Sequence, residues 1–134
     1  AENGFNSYTY GLAVRRSFAE QHPDVVRAVV KGSLEGWAWA CSHVPAATTL
    51  LMKYQKDAPA ATMGPEVQIG LKAVESPDTE TKGLGYMSKA RWQQTYDLAV
   101  SSWGLKPNSV DLPQVWTNAY MPAKPIGIGA CASK

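Results

Sequence analysis

The residues able to do chemistry in this chain are two histidines, two cysteines and eleven scattered carboxylates, and their spacing works against most reactions. His22 and His43 flank a stretch that reads as one continuous helix. At the rise of an α-helix they stand about 30 Å apart. That is too far to share a metal ion, whose ligands must cluster. Each reads instead as a helix-boundary histidine. Cys41-Ser42-His43 sets a thiol beside a base, the ingredients of a cysteine nucleophile. Side chains one and two apart on a helix do not face each other, and Cys41 falls on an apolar stripe where thiols are usually inert. Gly83-Leu84-Gly85 lacks the flanking strand and the lysine of a phosphate-binding loop. The carboxylates are too spread out for spacing to name an acid/base pair. The expectation is no catalytic residue, no metal site, no cofactor, and a protein that is not an enzyme.

The aromatic residues are more informative. Trp37, Trp92, Tyr96 and Trp103 recur at helical spacing, and core packing is their simplest role. Tyr8 and Tyr10 lie two apart in Ser7–Val14, a run rich in aromatic and β-branched residues. In a strand they would share one face. There they either pack in a core or line a cleft in which a ring can stack on a ligand; both readings stand.

These residues must be positioned by helices. Ser17–Gln21 has room for one turn, ended by His22-Pro23, because the residue before proline avoids the α region. From Pro23 a helix runs to Ser42, with Val26, Val29, Val30, Leu34, Trp37, Ala38 and Cys41 on one stripe. Lys31 and Glu35 sit one turn apart on the other face. Pro45 opens a helix that continues to Tyr54, and Pro65 opens another with Val67, Leu71 and Val74 in register. Ser76-Pro77-Asp78 reads as a stop and 81–86 as a loop. Ser88 caps a further helix that carries the Trp92 stripe and ends before Gly104. Asp111–Trp116 suits a last short helix. Residues 123–134 read as a disordered tail, rich in Gly, Ala and Pro. With Cys131 in that tail, the expectation is that Cys41 and Cys131 are not bonded to each other.

At 134 residues, with 45% apolar and 18% charged residues, the chain has the composition of one ordinary globular domain. The net charge of +2 comes without a basic stripe, which argues against nucleic acid as a partner. No apolar run approaches the length needed to cross a bilayer, so no direct membrane insertion is expected. No secretion-signal pattern precedes the first helix.

The stretch Ala13-Val14-Arg15-Arg16-Ser17-Phe18-Ala19-Glu20-Gln21-His22-Pro23-Asp24-Val25-Val26-Arg27-Ala28, continued by Gly36-Trp37-Ala38-Trp39-Ala40, resembles a signature of one family. That family is the nitrate/sulfonate/taurine and thiamine-pyrimidine substrate-binding proteins of ABC importers, together with the fungal thiamine-pyrimidine synthases. Ser42–Ala47 stands where the family has a helix start. Gly85-Tyr86-Met87 with Arg91–Asp97, and Val110-Asp111-Leu112 with Thr117–Pro122, resemble its later landmarks in the same order. The resemblance runs from about Gly11 to Pro122 and covers only the C-terminal portion of a full member. It implies a mainly α chain with one or two short strands, residues 1–122 forming the C-terminal helical portion of a two-lobed α/β periplasmic-binding-protein fold of type II. The rest of the solute-binding protein would lie outside this chain, and with it the histidine, cysteine-rich motif and lysine of the synthase branch.

The function so implied is to hold a small organic solute, pyrimidine-like or of the sulfonate/nitrate class, for an ABC importer. Its membrane subunits would be the partners, in the periplasm or on an anchored extracellular protein. The resemblance places Asn6–Tyr10 where the chain crosses between lobes, beside the cleft. Asn6, Tyr8 and Tyr10 are therefore the expected ligand contacts. Tyrosine offers an apolar face and an orienting hydroxyl, and the nearest arginines, Arg15 and Arg16, lie past the crossing, which favours a planar solute over a bare oxyanion. Two other readings remain open: a fragment of a thiamine-pyrimidine-synthase-like enzyme, and a free-standing helical interaction module.

Overall fold

The computed structural model describes residues 7–57 and 59–128, and within them the chain is mainly helical. Six α-helices follow in order: α1 (Arg16–Gln21), α2 (Pro23–Ser42), α3 (Val44–Met52), α4 (Ala60–Lys72), α5 (Pro77–Lys82) and α6 (Lys89–Ser102). A single 3₁₀ turn, Leu112–Gln114, comes after them. There is no strand among the described residues, which corrects the expected one or two. The Ser7–Val14 run has strand-like composition but no neighbouring strand to form a ladder with. The Ser7 carbonyl accepts from a side chain instead, Arg91 Nη2 at 3.1 Å.

The first three helices are one path broken twice. His22, at φ −132° and ψ 53°, ends α1 and precedes Pro23 at the first position of α2. His43, at φ −135° and ψ 44°, makes the same break before α3. Val26, Leu34 and Cys41 form the buried line of α2, while Val29, expected on the same stripe, is exposed. Lys31 and Glu35 pair at 3.7 Å on the outside, a contact of a few tenths of a kcal/mol.

Two helices differ from their expected bounds. α4 begins at Ala60 and carries Pro65 inside it, although an interior proline removes a backbone hydrogen bond and costs about 3 kcal/mol. The N-terminal turns are held by Met63, which is 1% exposed. Burial of a side chain that size contributes roughly 1.5–3 kcal/mol, enough to offset most of that cost. α5 falls where a stop and a loop were expected. Ser76 and Thr79 form a reciprocal capping box, with Pro77 at the first helical position and Asp78 and Glu80 in the first turn. In α6 the Ser88 hydroxyl accepts from the Arg91 amide, and Gly104 follows the helix at φ +75°.

The core gathers Leu34, Leu84 and Ile128, with Val30, Trp37, Met121 and Ile126 packed against them. Gly83 and Gly85, at φ +91° and +81°, shape the loop that drives Leu84 inward. A Cβ on Gly85 would stand 2.7 Å from Leu34 Cδ2. The segment expected to be a loose tail is docked as far as residue 128: Ile126 accepts from the Leu84 amide at 2.7 Å and Ile128 is 5% exposed. The alternation Ile126-Gly127-Ile128 presents two apolar side chains to the core, which the Gly/Pro content masked. Cys41 is disulfide-bonded, whereas the expectation was that Cys41 and Cys131 are not bonded to each other. The other cysteine of the sequence, Cys131, lies outside the described residues.

Candidate functional site

The loop between α5 and α6, residues 83–88, is where distant parts of the chain meet. Asn118 clamps it from one side, with Oδ1 accepting from the Met87 amide at 3.1 Å and Nδ2 donating to the Met87 carbonyl at 2.8 Å. Tyr8 holds it from the other. The Tyr8 hydroxyl accepts from the Ser88 amide at 2.6 Å, with Ser88 Oγ at 3.3 Å and Asp78 Oδ2 at 3.4 Å as acceptors for its own proton. The Arg91 guanidinium lies 4.1 Å over the Tyr8 ring, and Trp92 stands at 6.0 Å in tilted contact. Trp92 in turn stacks on Trp116, 6.4 Å away and 7° from parallel. Tyr8 is thus occupied on its hydroxyl and on one face by the start of α6.

Tyr10 goes elsewhere. Its ring meets Trp37 of α2 at 5.2 Å with a tilt of 47°, and its hydroxyl passes α4 at Gly70, 3.4 Å from where a Cβ would be. The ring is 50% exposed and forms part of the lining of a groove of about 500 Å³ between α2, α3 and α4. Gly36 and Trp37 line it from α2, Leu51 from α3, and Met63, Val67 and Gly70 from α4. Its polar side chains are Ser33, Gln55, Glu66 and the Tyr10 hydroxyl. Among the described residues no lysine or arginine lines it.

The three expected contacts therefore part company. Tyr8 braces α6, Tyr10 borders the groove, and Asn6 lies outside the described residues. Trp37, assigned to the core, does both jobs: it packs on the Leu34 cluster and faces Tyr10. Trp103, also assigned to the core, is 64% exposed. The groove residues Gln55 and Glu66 carried no local signal, since the packing of α3 on α4 brings them together. The histidines sit at the helix breaks, His43 stacked on Trp39 at 4.9 Å with Nδ1 2.9 Å from the Trp39 carbonyl oxygen, and His22 beside Phe18.

No family model matches the chain. It is similar to the riboflavin-binding protein RibY of Chloroflexus aurantiacus. The two are 28% identical over 125 residues, which is 91% of this chain and 35% of RibY. The chain thus spans about a third of the length of the curated relative it matches. No solved structure matches it.

Proposed function

We propose that this chain is the C-terminal helical part of a solute-binding protein, and that it supplies one wall of the site that holds a small planar organic molecule for an ABC importer. The observation that carries this reading is the similarity to a riboflavin-binding protein across 91% of the chain. The order of landmarks from Gly11 to Pro122 supports the same assignment. The disulfide at Cys41 suits an oxidising compartment, in keeping with a periplasmic or anchored extracellular protein. The protein binds and does no chemistry, with the importer's membrane subunits as its partners.

Within this reading Tyr10 contacts the solute and Tyr8 holds the crossing segment in place. Two substitutions in the longer protein separate these roles. Tyr10→Ala lowers affinity for riboflavin at least tenfold, measured by calorimetry, with little change in thermal midpoint. Tyr8→Phe leaves the Ser88 amide without its acceptor and lowers stability by about 1–2 kcal/mol, while affinity stays within a factor of three. If Tyr10→Ala binds as the parent does, the assignment of Tyr10 to the site fails.

A further inference from the structure

We infer that the groove between α2, α3 and α4 is itself a seat for a neutral, flat heteroaromatic molecule carrying an N–H and carbonyl edge, and that it discriminates against anionic forms of the same ring. The choice of ring rests on the solute-binding reading above; the location and the charge preference rest on the groove. Its volume of about 500 Å³ falls in the range of small-molecule sites. Trp37 is fixed by its packing on the Leu34 cluster, so it offers a rigid wall. Tyr10, half-exposed and tilted at 47° with its ring centroid 5.2 Å from that of Trp37, is in contact with it, so the two rings form one aromatic wall. An aromatic guest against such a wall gains edge-to-face or offset contacts.

The polar lining sets the rest of the chemistry. The Glu66 carboxylate accepts from an N–H, and the Gln55 amide both donates and accepts, functions that are complementary to those of an imide or ureide edge. An anionic guest would enter a lining that holds the Glu66 carboxylate and no lysine or arginine to offset it. The groove therefore takes riboflavin or its bare ring lumichrome in preference to riboflavin phosphate, taurine or nitrate.

One position makes the test clean. A Cβ at Gly36 meets nothing within 4 Å, and Gly36 lies inside α2 on the groove wall. Gly36→Leu adds bulk to the groove wall at a position whose Cβ is unobstructed and replaces a poor helix former by a good one. The 134-residue chain is titrated with riboflavin, lumichrome and riboflavin phosphate, followed by quenching of the flavin or alloxazine emission. Riboflavin and lumichrome are expected to bind with similar affinity, and riboflavin phosphate several-fold more weakly. Gly36→Leu is expected to lower riboflavin affinity at least tenfold with an unchanged or raised thermal midpoint. Glu66→Lys, on an exposed position, provides a second reading that does not depend on Gly36: it narrows the gap between riboflavin and its phosphate. The inference is overturned if Gly36→Leu, folded, binds riboflavin as the parent does; the parent's binding then still supports the solute-binding reading. It is also overturned if the parent chain fails to bind either neutral ring up to its solubility, in which case the Tyr10→Ala measurement on the longer protein decides the broader reading by itself. A parent that binds riboflavin phosphate as tightly as riboflavin refutes the charge preference.

Discussion

Leu84→Ala unfolds the chain at a markedly lower urea concentration, with a loss of about 2–5 kcal/mol. The side chain is 1% exposed and sits at the centre of the cluster with Leu34 and Ile128. Truncation removes the transfer energy of three carbons and leaves a cavity, and buried leucines lose an amount of this order. The site has little freedom to collapse. Gly83 and Gly85 hold the loop at positive φ, and Leu34 already reaches within the space that a Cβ on Gly85 would need. A typical domain of this size has a net stability of roughly 5–15 kcal/mol, so the substitution removes a large share of it. Leu50→Ala on α3 serves as the comparison, since Leu50 is half-exposed; its cost should stay under about 1 kcal/mol. Equal losses for the two variants would mean that Leu84 is not the centre of the core.

Reduction of the disulfide has an effect of similar size. Cys41 is bonded, and the sequence holds one other cysteine, Cys131. In the chain-entropy description a disulfide stabilises the native state by about 2–4 kcal/mol. Denatured but unreduced protein should show no free thiol and a monomeric mass, and reducing agent should lower the thermal midpoint by many degrees. Two free thiols in the unreduced protein would refute the bridge. Cys41 is buried in the last turn of α2, so unfolding should precede or accompany reduction rather than follow it.

How much of this was legible in the sequence depends on whether the deciding forces were local. The bounds of α2 follow from His22-Pro23 at one end and from the break at His43 before Pro45 at the other, and α6 from the Ser88 cap and Gly104. These are effects of one or two neighbouring residues. α5 was hidden because Ser76-Pro77-Asp78 serves equally as an end and as a beginning; only the pairing of Ser76 with Thr79 decides it. The start of α4 was hidden because Pro65 suits a first turn, and the burial of Met63 that extends the helix upstream is tertiary. The tyrosines show the same limit. Their composition flagged the segment, but the period-two argument put both rings on one face, and without a strand partner they diverge to α6 and to the groove. Nothing within a dozen residues of Gln55 or Glu66 announces that Tyr10 will lie beside them.

The loop at 83–88 has a consequence for the timescale of amide exchange. The Leu84 amide donates to Ile126, the Met87 amide to Asn118 and the Ser88 amide to Tyr8, so three protons in a short irregular stretch are held by groups 31 to 80 positions away along the chain. Local fraying of a helix end releases none of them. Each requires that a remote segment depart first, and Tyr8, Asn118 and Ile126 belong to three different ones. Each of these protons therefore reports the departure of its own remote segment rather than the fraying of a helix end. A loop, ordinarily a fast-exchanging part of a protein, is expected here to be protected.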